Sequence, residues 1–234
     1  MAKPRVSVII TTKNEEKHIE SCLMSLRCQT FRDFEVIVSD AKSRDNTVKI
    51  ARKYADKVIV QESNVSKGRN IGVSKARGDI LVFVDADTIL LPDTLGKVIG
   101  AFKNKKVVGA TCPVLPLTTK VKYVWVYTFF SNFEKASIRM NRPQIAGFFC
   151  AYRRDAFERI GGFDEHVGIL EDFHLSRRIG ALGKISFVES TFVLTSHRRL
   201  EAMGAKMPEK YIRAWLKMLA TGRSFSFEWY NSIR

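Results

Sequence analysis

Two aspartates, Asp85 and Asp87, follow directly on the apolar run Ile80-Leu81-Val82-Phe83-Val84. An unbroken run of that kind reads as a strand covered on both faces, and its end delivers both carboxylates to one place. Paired hard oxygen donors suit Mg²⁺ or Mn²⁺. The same residues also serve as a solvated loop, or as a cap for a helix opened by Pro92. A second acid pair, Glu171-Asp172, precedes Phe173, Leu175, Ile179 and Leu182, which places it in the first turn of a helix ended by Gly183. Near a helix N-terminus a carboxylate is favoured in its charged form, the form a general base needs, though acids there are also ordinary helix chemistry. His197 follows the apolar stretch 192–195 and precedes Arg198-Arg199. It suits a third metal ligand, a donor to a diphosphate or a structural role, and Arg198 or Arg199 can offset leaving-group charge.

The elements that must position these groups alternate along the chain. Residues 6–12 form a β-branched strand, with Asn14 placed to cap a helix in which Ile19, Cys22, Leu23 and Leu26 make one apolar stripe. A second strand, 34–38, ends in Ser39-Asp40 and a polar turn. A helix carrying Val48, Ala51 and Tyr54, a short strand at 58–60 and a basic helix at 67–76 lead to the strand with the paired aspartates. Leu95, Val98, Ile99 and Phe102 mark another amphipathic helix before a strand at 107–111. Repeated strand-helix units with short connections imply an α/β fold, a mostly parallel sheet flanked by helices.

In such sheets ligands bind beyond the carboxyl ends of the strands. Three ends here are polar or acidic: Thr11-Thr12 with Asn14-Glu15, Ser39-Asp40, and Asp85-Ala86-Asp87. Their convergence would seat a nucleotide, with Asp40 accepting from the base, Thr11 and Glu15 near base or ribose, and Lys67 and Arg69 adding charge at the phosphates. Neither a P-loop nor a Gly-rich dinucleotide turn follows the first strand, so diphosphate binding must lean on metal and side chains. Downstream, Ala146-Gly147-Phe148-Phe149 and Gly161-Gly162-Phe163-Asp164-Glu165 join flexible backbone to aromatic faces. That mix suits loops closing on an acceptor, with Gly147, Phe148, Gly162, Phe163 and Asp164 as contacts, or turns over an aromatic core.

Taken together, VSVIITTKNEEKHIESCLMSL, VSDAKSRDNT, SKGRNIGVSKARGDILVFVDADT, AGFFCAYRRDAFERIGGFDE and EDFHLSRRIGALGKISFV resemble, in order, the family 2 glycosyltransferases of the GT-A fold. The resemblance implies transfer of a sugar from a nucleotide diphosphate sugar, UDP or GDP type, with inversion and a divalent metal, Mn²⁺ or Mg²⁺. It implies Asp40 as base contact, Asp85 and Asp87 as the D-x-D, and Asp172, beside Glu171, as catalytic base. The family commonly has Asp-Gly-Ser-x-Asp after the second strand, where this chain has Asp40-Ala41-Lys42-Ser43-Arg44-Asp45.

Composition bounds the rest. With 234 residues, 45% hydrophobic and 27% charged, the chain is one ordinary globular domain, which excludes disordered and fibrous classes. We divide it into a GT-A-like domain at 1–200, with a nucleotide-binding half at 1–112 and an acceptor half at 113–200, and a basic amphipathic tail at 201–234. Four cysteines without ligand spacing fit a reducing compartment, and no leader or membrane span is legible, so the expected place is cytoplasmic or peripheral at the inner face of the membrane. A net charge of +15 calls for an anionic partner. A nucleic-acid-binding module would use that charge, but no recognition motif is present. A sugar-1-phosphate nucleotidyltransferase would want a Gly-rich basic loop after the first strand, where this chain has Thr-Thr-Lys-Asn-Glu-Glu; the expected reaction stays transfer to an acceptor hydroxyl or lipid phosphate of a sugar or lipid-linked acceptor. The aromatic stretch 121–133 belongs first in the core, and can otherwise line an acceptor groove or touch lipid. The tail sets Met207, Tyr211, Trp215, Met218 and Leu219 at helical intervals among Lys and Arg. That pattern suits docking on its own domain, a dimer contact or an anionic membrane surface.

Overall fold

The computed structural model describes residues 3–167 and 170–203. In chain order the elements are β1 (Val6–Thr12), α1 (Ile19–Arg27), β2 (Phe34–Asp40), α2 (Thr47–Tyr54), β3 (Lys57–Val60), α3 (Val65–Lys75), β4 (Ile80–Asp85), β5 (Thr88–Leu90), α4 (Thr94–Gly100), β6 (Val107–Thr111), β7 (Val114–Pro116), α5 (Val121–Arg139), β8 (Phe149–Arg153), α6 (Arg154–Arg159), α7 (Glu171–Gly180), β9 (Lys184–Phe187), β10 (Val193–Thr195) and α8 (Arg198–Met203). The tail from 204 lies outside the described residues. Among the described residues no helix is long and apolar enough to cross a membrane.

The main sheet has seven strands in the order β3-β2-β1-β4-β8-β6-β9. Strands β1 to β4 run parallel, and β8 enters antiparallel between β4 and β6. The second half of the chain therefore completes the sheet that the first half begins. Strand β4 shows why its run had to be apolar throughout. Val82 and Val84 face one core with Leu23, Leu95 and Ile99, while Leu81 and Phe83 face the other with Phe157, Phe163 and Leu175. A short second sheet, β5-β10-β7, brings the chain after β10 back to the end of β4.

Several local starts differ from expectation. Asn14 is not a helix cap: its φ is 55°, its N–H donates to Ser43 Oγ and its Oδ1 accepts from Arg44 N–H (2.8 and 2.9 Å). It bridges the β1 and β2 ends, and α1 starts later, at Ile19. Helix α3 begins at Val65 because Asn64 caps it, accepting from Lys67 N–H at 2.8 Å. Pro92 stands two residues ahead of α4 and uses its carbonyl to accept from Thr30 N–H. The stretch expected in the core is the helix α5, whose inward residues are Tyr123, Tyr127, Ser131, Glu134 and Ser137. Trp125 on its outer side is 72% exposed.

Candidate functional site

The three polar strand ends do converge. Thr11 pairs in register with Ser39 on one side and Asp85 on the other, and Thr12 pairs with Asp40. Asp40 is fully buried: Oδ2 accepts from Thr12 Oγ1 (2.7 Å) and Ser43 Oγ (2.6 Å), and Oδ1 accepts from Ser43 N–H (2.8 Å). Its carboxylate organises the β2 loop and presents no surface to the crevice. That loop is one residue longer than the family pattern. The chain takes up the extra residue by placing Lys42 in the left-handed region (φ 57°), leaving Lys42 and Arg44 exposed while Ser43 returns to Asp40.

Arg69 is the centre of the site. It was expected as a free cation for phosphate, yet it is buried, and its guanidinium is taken up inside the protein. It donates to Glu171 Oε1 at 3.0 Å, Asp85 Oδ1 at 3.3 Å and the Gly147 carbonyl at 3.3 Å, and it lies over the Phe163 ring with 5.0 Å to the centroid. Burial opposes its charge, but Glu171 and Asp85 outweigh that and keep it charged. Arg69 therefore ties the end of β4 to the start of α7. Lys67, two residues earlier on α3 and so turned to another face, is half-buried.

The same contacts set Asp172. Gly147 N–H donates to Asp172 Oδ2 at 2.5 Å, and Phe173 N–H to Oδ1 at 2.8 Å. Asp172 keeps part of its surface, as a group that must meet an acceptor needs. Dense packing, then the charge of Glu171, push its carboxyl up to about 7, against the pull of Arg69 and the two backbone donors. Leu170, just before this pair, has φ 62° while buried at 7% exposure. A left-handed leucine costs about 1–2 kcal/mol and is held here by its packing, so the aim of the acid pair is a constrained feature. A Cβ on Gly147 would meet Arg69 Nη2 at 2.5 Å and Asp172 Oδ2 at 3.1 Å. We expect Gly147→Ala to lower kcat about tenfold or more by pushing the base off its peptide. Steady-state kinetics with a folded-state check by circular dichroism would measure this, and unchanged kcat would show that the contact is dispensable.

The expected acceptor contacts differ in their surroundings. Phe148 is half-buried and packs on Tyr127 at 5.9 Å, with its carbonyl accepting from Asp85 N–H. Phe163 instead meets Phe83 and Phe157 edge to face, since its ring completes the core under Arg69. Gly162 (φ 71°) closes a turn clamped by Asn70, which accepts from Phe163 N–H and donates to its carbonyl. Asp164 accepts from His166 N–H within the same turn. Gly162 and Phe163 are thus supports of the site, while Asp164, half-buried, holds its own turn.

His197 does not complete a metal set. Its ring stacks on Tyr123 at 4.6 Å and its Nε2 lies 3.7 Å from Glu201, and among the described residues no three His, Cys, Asp or Glu side chains converge to hold an ion. The next residue turns the other way. Arg198 Nε donates to Asp87 Oδ2 at 3.3 Å and its Nη2 to Glu15 Oε1, while Thr195 Oγ1 donates to Asp87 Oδ1 at 3.4 Å.

Sequence reasoning missed Glu134. It is buried on the inner face of α5, and its Oε1 accepts from Ala146 N–H at 3.2 Å, so successive peptides at 146 and 147 are held by Glu134 and Asp172. Burial, with the Asp172 charge adding to it, raises its carboxyl well above the ordinary range. The available signal was a lone acid in line with Tyr123 and Tyr127. We expect Glu134→Gln, neutral and still an acceptor, to melt like the parent, and Glu134→Ala to lose about 1–3 kcal/mol on denaturation. Equal stabilities would remove its role in holding this loop.

The family model of glycosyl transferase family 2 matches residues 7–161, which is more than half of the chain. The chain belongs to glycosyl transferase family 2. The PGL/p-HBAD biosynthesis glycosyltransferase of Mycobacterium bovis is 30% identical over 189 residues, covering 76% of this chain and 70% of that protein. Poly(ribitol-phosphate) beta-N-acetylglucosaminyltransferase TarS of Staphylococcus aureus is 37% identical over 100 residues, 39% of this chain, and the match spans only 18% of TarS. Among solved structures, mannosyltransferase PcManGT from Pyrobaculum calidifontis superposes with a TM-score of 0.69 at 23% identity, covering 84% of this chain and 58% of that one. The likeness establishes the GT-A fold for this family 2 chain. The family match ends before Glu171 and Asp172, so their place rests on the contacts above.

Proposed function

We propose that this chain is the catalytic domain of a metal-dependent inverting glycosyltransferase, moving a sugar from a nucleotide diphosphate sugar of the UDP or GDP type to an acceptor hydroxyl or a lipid phosphate. The observation that carries this reading is the unbroken path from strand-end acid to base, Asp85 to Arg69 to Gly147 to Asp172. PcManGT was solved with GDP-Man and Mn²⁺, and TarS 1-349 with UDP-GlcNAc, which supports the donor class.

The acids fit a divalent cation. Among the described residues Asp85 and Glu171 share the Arg69 guanidinium, and Asp87 and Glu15 share that of Arg198, so at each place two carboxylates meet one guanidinium. Asp85 and Asp87 would hold the ion, two carboxylates being the usual protein share for Mg²⁺ or Mn²⁺ when substrate phosphates supply the rest. Bound there, it would offset charge on the departing diphosphate.

The chain's own residues do the remaining work. Asp172, ionised above about 7, takes the proton of the acceptor hydroxyl as that oxygen attacks the anomeric carbon opposite the leaving group. Gly147 N–H fixes the oxygen that does not take it, and Glu171, bound to Arg69, is committed to holding the site in shape. Thr11 and Glu15 border the nucleoside end, Asp40 holds the β2 loop beneath it, and Phe148 borders the acceptor side. Arg198 places its charge beside Asp87, where the diphosphate would lie. The division near residue 112 and a cytoplasmic, membrane-peripheral location belong to the same proposal, the latter supported by the net charge of +15.

The test is a calorimetric titration of UDP and GDP with and without Mn²⁺, followed by NMR of the product's anomeric configuration with matching donors. Metal-dependent binding and inversion are expected. No binding of either nucleotide, or retention at the anomeric carbon, would overturn the reading.

A further inference from the structure

The helix that turns Glu134 inward presents an unusual set of residues outward. On α5, Val121, Trp125 and Phe129 recur every fourth residue, Val124 and Phe130 flank them, and Leu117 stands just ahead; all are exposed, Trp125 by 72% and Phe129 by 68%. The inner face carries Tyr123 and Tyr127 with three polar residues, Ser131, Glu134 and Ser137. A helix that served only its own core would not leave a tryptophan and two phenylalanines outside, and a contiguous apolar face of this kind marks a contact surface.

Charge and position say what that surface meets. Lys120 and Lys122 border its start, lying 5.9 and 4.7 Å from the Tyr123 ring, and Arg139 stands exposed at its end. The single acid of α5, Glu134, is buried on the other side. The chain leaves the described residues beside this face: Lys120 pairs with Glu201 at 2.6 Å, and Tyr127 Oη donates to the Ser196 carbonyl at 3.2 Å. Residues 204–234 then carry Lys206, Lys210, Arg213, Lys217, Arg223 and Arg234 against Glu209 and Glu228, with Trp215 and Trp229 among them. A basic segment is a poor complement to a basic-rimmed helix, and a second copy would set like charges face to face. An anionic surface complements both at once.

We infer that the outward face of α5 docks on an anionic lipid bilayer. Trp125, Phe129 and Val121 enter the boundary between headgroups and acyl chains, and the flanking Lys and Arg residues meet lipid phosphates. The consequence for catalysis rests on the function proposed above. Through Glu134 and Tyr127 the inner face of α5 holds Ala146 and Phe148, so the bilayer would lie about one helix diameter, roughly 10 Å, from the peptide that positions Asp172. A lipid-borne acceptor would arrive beside the base.

Flotation of the full chain with vesicles of phosphatidylglycerol and phosphatidylcholine, and of phosphatidylcholine alone, tests this directly. The parent should bind the anionic vesicles, bind neutral ones less, and release in high salt. The double variant Trp125→Ser/Phe129→Ser should bind anionic vesicles about tenfold more weakly, with melting temperature and nucleotide affinity unchanged. Parental vesicle binding by the double variant would overturn the inference. So would a parent that ignores vesicles and sediments as a dimer dissolved by the variant, which assigns the face to a second copy. A parent that ignores vesicles and a variant that melts lower would assign it to residues 204–234. Vesicle binding of the expected pattern without any nucleotide binding would leave the surface standing and remove only the nucleotide-sugar reading.

Discussion

Replacing Asp172 by Asn is expected to lower kcat by about 10²-fold or more while leaving donor Kd nearly unchanged, the pattern of a lost general base. Its contacts belong to α7 and the 146–147 peptides, on the acceptor side of Arg69, and not to the strand ends where a nucleotide would lie. The pH profile carries the same information. With its carboxyl pushed up to about 7, Asp172 is neutral in acid, so turnover should climb as pH rises through that value and level off above it. Stability runs the opposite way. Between the ordinary carboxylate range and about 7 the native state keeps a proton that the unfolded chain has released, so native stability declines as pH rises through that window. Asp172→Asn cannot ionise and should flatten that decline. Thermal melts from pH 5 to 8, set beside kcat at each pH, would check both. Near-normal turnover in the variant would place the base elsewhere, or indicate an acceptor that is already ionised.

The second large effect is expected at Asp87. Asp87→Asn should weaken UDP or GDP binding in the presence of Mn²⁺ about tenfold or more, and leave binding in EDTA as it was. The variant keeps an acceptor for Thr195 and removes the charge that both Arg198 and a cation would use. Asp85 is the less clean choice. Its side chain is 13% exposed and pairs with buried Arg69, so Asp85→Ala also leaves a guanidinium short of one partner and should destabilise the fold by about 3 kcal/mol. Equal nucleotide affinities in parent and Asp87→Asn, with or without metal, would remove the metal role from these acids.

How much of this was legible in the chain follows from what each signal reports. The sheet and its acid ends could be read directly, because runs such as 80–84 are apolar at every position and only a strand buried on both faces requires that. Once β1, β2 and β4 were recognised, the convergence of Thr12, Asp40 and Asp85 followed from the geometry of parallel strands, and pairing in register brings them together. The acid pair at the start of α7 was visible for the same reason, since helical periodicity marks where a helix begins.

What only the tertiary structure decided were the partners of each charge. Lys67 and Arg69 read alike in the chain, but α3 turns Arg69 into the space between β4 and α7, where two carboxylates wait for it. Arg198 reaches an aspartate 111 residues away while neighbouring His197 points to Tyr123, a choice set by the small second sheet. The aromatic stretch 121–133 reads as core, and the fold divides it: α5 buries Tyr123 and Tyr127 with Ser131, Glu134 and Ser137, and exposes Val121, Trp125, Phe129 and Phe130. Periodicity reports which residues share a face, whereas the element lying opposite that face is fixed by chain-distant packing. An ion pair between residues so far apart leaves no local trace in the sequence.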